Sequence, residues 1–235
     1  MKAKMFKKSL VAAMVMASMP MLASAQDKVE ASVGADLVSG YIWRGQDLGG
    51  VSIQPGVSLS YKGFSFNAWG SVGFERTDTK EFDLTLGYST GGFSVSVTDY
   101  WFSGAQGYFH YGATNTAHVF EAQVGYDFGV VSANWYTNFA GADGLNKDGK
   151  RAYSSYIAVA APFKLGGLEW EAEIGATPWA TDFYNGGTNG FAVCDIALKA
   201  EKEIQVTNSF SLPLFAKMSF NPATEATDFV VGLTF

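Results

Sequence analysis

Apolar and polar side chains alternate with a period of two over long stretches of this sequence. In the stretch 63–75, for example, Phe64 and Phe66 alternate with Ser65 and Asn67. Successive side chains of a β-strand point to opposite faces, so each stretch has one apolar and one polar face. The alternation therefore predicts a sheet that keeps one surface apolar.

Twelve stretches carry this alternation, and most are roughly 10–13 residues long, close to the ~9–11 residues with which a tilted strand crosses a bilayer. They are 28–44, 51–61, 63–75, 80–90, 92–103, 116–128, 130–139, 152–163, 168–178, 190–200, 209–220 and 225–235. Short glycine-rich turns alternate with longer loops between them, which is typical of outer-membrane barrels. The pattern predicts an all-β fold, a transmembrane antiparallel up-and-down β-barrel of twelve strands.

Composition favours a membrane barrel over a soluble β-sandwich or a lipocalin-like barrel. Charged residues make up 16% of the chain and aromatic residues 15%. The charged share is below the ~25% of soluble domains. After residue 25, no apolar run approaches the ~18 residues of a transmembrane helix. The soluble alternatives also alternate, but their strands are shorter and their polar face is charged, whereas here it is mostly Ser, Thr, Asn and Gly.

The first 25 residues have the layout of a secretory signal peptide. A basic start is followed by the apolar stretch 9–22 and then by the small residues 23–25. We expect cleavage between Ala25 and Gln26, which leaves residues 26–235 as the barrel. An uncleaved anchor is the alternative, but the apolar stretch falls short of the ~20 residues that span a bilayer.

The charge balance bears on partners. The signal holds four of the 16 basic residues and none of the 22 acidic ones, so the remainder carries 12 basic against 22 acidic residues. This balance argues against nucleic acid as a partner. The expected partners are outer-membrane lipid, the barrel-assembly machinery and small polar solutes, and the expected location is the outer membrane of a Gram-negative bacterium.

Extending the parity of each strand assigns most charged side chains to the lumen, because charge on the lipid face is costly. The predicted lumen-lining residues are Asp36, Arg44, Trp69, Glu75, Glu81, Asp83, Glu121, Glu169, Glu171, Glu173, Asp195, Lys199, Lys217 and Asp228. Carboxylates outnumber cations in this set, which predicts a narrow passive channel for small hydrophilic solutes, neutral or cationic. The alternative is a barrel plugged by its own charge pairs, whose outer loops bind a ligand.

Two further expectations follow from parity. Arg44 on the first strand and Asp228 on the last should pair across the closing seam. Asp99 breaks the parity of its strand, and a bulge near Thr98 would return it inward.

Many aromatic residues fall near predicted strand ends, as expected for the belts of Trp and Tyr at membrane interfaces. They are Tyr41, Trp43, Trp69, Tyr100, Trp101, Trp135, Tyr136, Trp170 and Trp179. The rival interpretation is a stacking surface for sugars or nucleobases, and it applies to inward positions such as Trp69.

The last strand closes on an aromatic residue. Phe229, Val231, Leu233 and Phe235 lie on one face of it. A terminal aromatic after alternating apolar residues resembles the signal that the barrel-assembly machinery reads.

No set of residues for catalysis or metal binding stands out. The two histidines, His110 and His118, lack the His-x-Ser pair of the outer-membrane phospholipase barrel, and with Cys194 they make no recognisable metal spacing. We therefore expect no enzyme activity, no metal and no cofactor.

The segment 35–45, Ala-Asp-Leu-Val-Ser-Gly-Tyr-Ile-Trp-Arg-Gly, resembles the first strand of the TorF-type porin family, the Gcw_chp-type outer-membrane proteins. The segments 53–61, 63–71, 81–84 and 98–100 are also similar to that family. The resemblance covers about 35–102 and implies a porin-like outer-membrane channel. The loops 104–115 and 140–151 match nothing in it.

Overall fold

The computed structural model describes residues 28–104, 106–184, 189–208 and 210–235. The predicted signal peptide, residues 1–25, and its cleavage point between Ala25 and Gln26 lie outside the described residues. Within these ranges there is no helix of the length and hydrophobicity that a membrane span requires.

Twelve strands form a closed antiparallel barrel, which confirms the predicted all-β fold and strand number. Each strand pairs with its neighbour in the chain, and β14 closes the ring on β1. A two-stranded hairpin, β2–β3, lies outside this ring order. The strands are β1 Glu30–Val38, β2 Tyr41–Trp43, β3 Gln46–Gly49, β4 Ser52–Tyr61, β5 Phe64–Gly73, β6 Lys80–Thr90, β7 Phe93–Phe102, β8 His118–Asp127, β9 Ser132–Gly141, β10 Ser155–Leu165, β11 Leu168–Thr177, β12 Ala192–Thr207, β13 Phe210–Asn221 and β14 Ala226–Thr234.

The two ends of the barrel differ in their connections. Tight turns join β4 to β5, β6 to β7 and β10 to β11, and glycines with positive φ occupy them, as at Gly63 (87°) and Gly167 (77°). Longer segments join β5 to β6, β7 to β8 and β9 to β10 at the other end. The connection from β1 to β4 also starts at this long-loop end.

The first strand is shorter than the predicted stretch 28–44, because β1 ends at Val38. Ser39 still bonds to the neighbouring strand, its N–H donating to the carbonyl of Val231 at 2.9 Å. Beyond Gly40 the chain leaves the barrel wall and forms β2 and β3. The predicted stretch 28–44 thus extended past the end of the wall strand, although the three successive apolar residues Tyr41, Ile42 and Trp43 interrupt its alternation.

The outer surface of the barrel is apolar. Val33, Leu86 and Val97, on three different strands, are all exposed, as are many other large apolar side chains around the ring. Aromatic pairs mark both ends: Phe64 packs on Tyr88 at the tight-turn end, with ring centroids 4.8 Å apart. A soluble monomer rarely exposes a contiguous apolar surface beyond a few hundred Å².

The inner surface is polar. Buried serines, threonines and carboxylates alternate with the exposed apolar side chains, as in β6, where Glu81 and Asp83 are buried and Phe82 is exposed. The barrel therefore encloses a polar interior within an apolar exterior.

Asp99 does not return to the inner face, so the predicted bulge near Thr98 is wrong. The pairing of β7 with β6 and β8 runs through this region without a shift of register. Thr98 and Tyr100 are buried in the interior, and Asp99 lies on the outer face between them. There its carboxylate accepts a hydrogen bond from Nδ1 of His118 at 2.8 Å.

The loop after β7 covers this polar pair. We call residues 106–117 the strap. The Tyr108 carbonyl lies 2.5 Å from Nε2 of His118, and the Tyr111 ring stacks on the imidazole with centroids 4.1 Å apart. His118 is fully buried as a result. The strap thus shields a polar, hydrogen-bonded pair on an otherwise apolar wall.

Candidate functional site

The β2–β3 hairpin folds into the lumen from the long-loop end. Its turn is Arg44–Gly45, and both residues have positive φ, 51° and 73°. This is the pattern of a type I′ turn, which suits a two-residue hairpin connection. The Gly45 carbonyl accepts a hydrogen bond from Nδ2 of Asn221 at 2.8 Å, and a Cβ on Gly45 would collide with the carbonyl oxygen of Cys194. The turn is therefore seated directly against the inner wall.

Arg44 makes a buried ion pair across the lumen. Its Nη1 and Nη2 donate to the two carboxylate oxygens of Glu121 at 2.5 and 3.0 Å. Glu121 also accepts from the Tyr100 hydroxyl at 2.9 Å. Both charged side chains are nearly inaccessible, Arg44 at 8% and Glu121 at 2% exposure. A bidentate geometry with an added donor is what lets a buried pair offset its desolvation.

Aromatic rings surround the same guanidinium. Its central carbon lies 4.0 Å from the ring centroid of Tyr136, 4.4 Å from Trp43 and 4.9 Å from Tyr156. Nη1 also donates to the Tyr184 hydroxyl at 2.6 Å. Cations gain from the negative face of aromatic rings, most strongly where water is excluded. We call this cluster the Arg44 box.

The predicted seam pair of Arg44 with Asp228 is wrong, because Arg44 leaves the wall with the hairpin and binds Glu121. At the seam, the Thr234 hydroxyl donates to Asp36 at 2.6 Å. Asp228 shares the inward parity of Val230 on β14 and is half-buried.

A second cluster lies on the other flank of the hairpin. Glu81 and Asp83 are buried side by side on the inner face of β6, and Tyr41 packs on Trp69 with the rings tilted and their centroids 5.6 Å apart. The Trp69 Nε1 has no hydrogen-bond partner among the described residues.

The opposite wall carries two lysines. Lys199 and Lys217 are directly opposed on β12 and β13. Each has a carboxylate nearby: Lys199 lies 3.0 Å from Glu201, and Lys217 lies 3.8 Å from Asp195. The Ser219 hydroxyl also donates to Asp195 at 2.6 Å. These charges therefore interact locally on the wall.

A cavity with about 830 Å³ of open space lies along the hairpin between the two walls. It is lined by Tyr41, Trp69 and Asp83 on one side and by Glu173 and Lys217 on the other. The Arg44 side chain also borders it. Any solute that crosses the barrel must pass the hairpin and this cavity.

The predicted lumen-lining residues fall into four groups, the last of which is Glu75 alone. Those on inward-facing strand positions are Asp36, Trp69, Glu81, Asp83, Glu121, Glu171, Glu173, Asp195, Lys199, Lys217 and Asp228. Arg44 is in the lumen, but on the hairpin. Glu169 is exposed near the tight turn, 2.6 Å from Lys164.

Glu75 does not line the lumen, and that prediction is wrong. β5 ends at Gly73, before Glu75. The Asp78 carboxylate accepts from the Glu75 N–H at 3.0 Å, and the Asp78 N–H donates to the Glu75 carbonyl at 3.3 Å. These bonds turn the chain, and the Glu75 side chain is exposed in the loop.

Several aromatic residues predicted for the interfacial belts lie in the lumen. Within the lumen, Tyr41, Trp43 and Tyr136 are half-buried, and Trp69 and Tyr100 are buried. Trp135 and Trp179 are exposed on the outside and pack on each other, with centroids 5.7 Å apart.

Two residues of the Arg44 box, Tyr156 and Tyr184, were not singled out in the sequence. Tyr156 is buried on β10 and the adjacent Ile157 is more exposed. The parity of this strand could therefore have assigned Tyr156 to the inner face. Tyr184 follows β11 in a long loop, where periodicity gives no signal.

No protein-family model matches the chain, and no curated protein matches it. Among solved structures, the chain is similar to OmpF of Salmonella typhi in complex with daunomycin, at 11% identity and a TM-score of 0.37 over 88% of this chain and 97% of that one. It is also similar to a doubly substituted OccD1 (OprD), at 9% identity and a TM-score of 0.36. That match covers 90% of this chain and 66% of the OccD1 chain.

Proposed function

We propose that the protein is a narrow passive channel of the outer membrane for small hydrophilic solutes, neutral or cationic. The observation that carries this proposal is a closed barrel with an apolar exterior and a polar, acidic interior. The β2–β3 hairpin forms the constriction of that channel.

The exterior supports a membrane location. A closed barrel satisfies every backbone donor and acceptor of its wall internally, which lipid demands, and exposed apolar side chains suit the acyl region. Export by the signal peptide 1–25, insertion by the barrel-assembly machinery and a Gram-negative host belong to the same proposal. So does membership of the TorF-type porin family, which depends on the resemblance over 35–102.

The interior charges support a preference for cations. Glu81 and Asp83 have no cationic partner among the described ion pairs, whereas Arg44, Lys199 and Lys217 each lie beside a carboxylate. A lumen in which carboxyl groups outnumber cationic side chains favours cations over anions.

A second candidate function is a plugged barrel that acts through its outer loops. The Arg44 box favours the plugged barrel, because the ion pair and the aromatic rings occupy the lumen beside the inner face of β8, β9 and β10. The two candidates differ in one measurable quantity, the conductance of the unaltered protein.

Single-channel recording in planar bilayers tests both. We expect small, cation-selective steps from the wild-type protein and a conductance at least twofold larger for Arg44→Ala, because that change removes the central contact of the hairpin. Arg76→Ala, an exposed arginine in the β5–β6 loop, is the matched control and should behave as wild type. Channel activity absent from both wild type and Arg44→Ala would overturn the channel and leave the plugged barrel.

A further inference from the structure

The Arg44 box is made of two parts that come from different elements. The wall contributes Tyr100, Glu121, Tyr136 and Tyr156, one residue from each of the four consecutive strands β7 to β10. The hairpin contributes the guanidinium of Arg44. The wall part is a buried carboxylate flanked by tyrosine rings, and none of its residues belongs to the hairpin.

The wall part matches the chemistry of an organic cation. Glu121 presents both carboxylate oxygens to a planar fork of N–H donors, at 2.5 and 3.0 Å. Tyr136 and Tyr156 present ring faces to the same cation, 4.0 and 4.9 Å away. Paired in-plane bonds and stacked ring faces together select a guanidinium over a compact metal ion, which prefers several oxygen ligands.

The occupant is held under backbone strain. Arg44 has φ 51°, in the left-handed region that side chains other than Gly, Asn and Asp rarely adopt. Such strained residues persist where the surroundings compensate for them, and they cluster at ligand clamps and switches. A guanidinium that is not tethered to the hairpin would make the same contacts without this strain.

We propose that this wall is a binding site for small solutes that carry a guanidinium group, and that Arg44 is its tethered competitor. A solute that displaces Arg44 releases the hairpin and widens the lumen. A neutral solute cannot do this, because it would leave the Glu121 charge buried without a cation. The release step rests on the channel function proposed above, whereas the site itself does not.

The first experiment measures binding without relying on conductance. Calorimetry of the full chain refolded in detergent compares methylguanidinium with methylurea, its neutral and nearly isosteric counterpart. We expect Arg44→Ala to bind methylguanidinium at least tenfold more tightly than methylurea, and Arg44→Ala/Glu121→Gln to lose that preference. Circular dichroism shows whether each variant keeps the barrel. An equal affinity of folded Arg44→Ala for both probes would overturn the site.

The second experiment tests competition in the wild-type protein. Hydrogen exchange of the amides in residues 41–49 should accelerate at least threefold with methylguanidinium and stay unchanged with methylurea, and Arg76→Ala should respond as wild type. If Arg44→Ala binds methylguanidinium but exchange in the wild type does not change, Arg44 is fixed in place. That result would overturn the proposal that a solute can displace Arg44. Conductance recorded in parallel tests only the channel function. If methylguanidinium accelerates amide exchange but bilayers show no conductance, the channel would be rejected and the binding site retained.

Discussion

At Arg44 and Gly45, two adjacent residues set the position of the β2–β3 hairpin in the lumen. Positive φ at both turns the hairpin, Arg44 binds Glu121, and the missing side chain of Gly45 allows contact with the wall at Cys194. The two turn residues therefore both reverse the chain and make the main contacts between the hairpin and the barrel wall. Changes at this one turn should be felt throughout the lumen.

Gly45→Ala should unseat the hairpin. An added Cβ would meet the Cys194 carbonyl, and alanine also disfavours positive φ, a cost of about 1 kcal/mol. We expect a lower unfolding temperature and a larger conductance. Gly166→Ala is the matched control, because Gly166 has φ 62° but open space around it. Equal effects of the two substitutions in thermal unfolding and in conductance would contradict the seating of Gly45.

Parity predicted the inward placement of individual strand residues, such as Glu81, Asp83 and Glu121, because side-chain direction is fixed by position in a strand. It could not predict what they contact. Arg44 and Glu121 are 77 residues apart, and their pairing depends on where the chain leaves the wall. Assigning Arg44 to the first strand produced the mistaken pair with Asp228.

Among the elements, the strap resolves a conflict on the outer wall. Asp99 and His118 place a hydrogen-bonded polar pair on the face that otherwise carries apolar side chains. The strap supplies the Tyr108 carbonyl and the Tyr111 ring, so the pair is covered by protein. The two ring nitrogens of His118 thus both face acceptors, which ties the strap to the Asp99 charge.

Asp99→Asn should loosen the strap. The amide keeps the shape of the side chain but removes the charge that holds His118 between two acceptors, so the strap should open more often. Limited proteolysis with chymotrypsin, which cleaves after Tyr108, Phe109 and Tyr111, should become several-fold faster. Asp148→Asn, at an exposed position in the β9–β10 loop, is the control. Unchanged cleavage in Asp99→Asn would contradict a role of the Asp99 charge in holding the strap.

The elements themselves were largely predictable, because long alternating strands leave a clear period. The hairpin and the strap were not. The hairpin follows the first strand after only Ser39 and Gly40, and the strap is a loop whose contacts depend on Tyr108 and Tyr111 meeting an outward-facing histidine. Tertiary contacts determine both the hairpin and the strap, and such contacts leave no periodic pattern in the sequence.

For the whole molecule, closure depends on the last residues of the chain. The N–H of Phe235 donates to the Ala35 carbonyl at 2.9 Å, and the Phe235 carbonyl accepts from the Ala35 N–H at 3.2 Å. The Phe235 side chain is exposed on the outer face, as are those of Phe229 and Val231. The residue thus contributes backbone bonds to the ring and an aromatic side chain to its surface.

Two variants separate these roles. Phe235→Ala keeps both backbone bonds, whereas deletion of Phe235 removes them. If the terminal aromatic is an assembly signal, both variants should reduce the amount of barrel in the outer membrane, measured by heat-dependent mobility of membrane fractions. The deletion alone should also lower the unfolding temperature of refolded barrel. Normal assembly of Phe235→Ala would contradict the signal and leave the barrel unaffected.

The closing seam has three register pairs between β1 and β14, Asp36 with Thr234, Leu37 with Leu233 and Val38 with Gly232, and backbone bonds of Ala35 with Phe235 and of Ser39 with Val231 extend it by one position at each end. On its other side, β1 makes nine pairs with β4. Cooperative units with few backbone bonds open first, at a free energy far below that of global unfolding. The barrel should therefore open laterally between β1 and β14 before any other pair of strands separates. Amides of β14 should exchange with solvent before those of β6 or β7, while the rest of the wall stays intact.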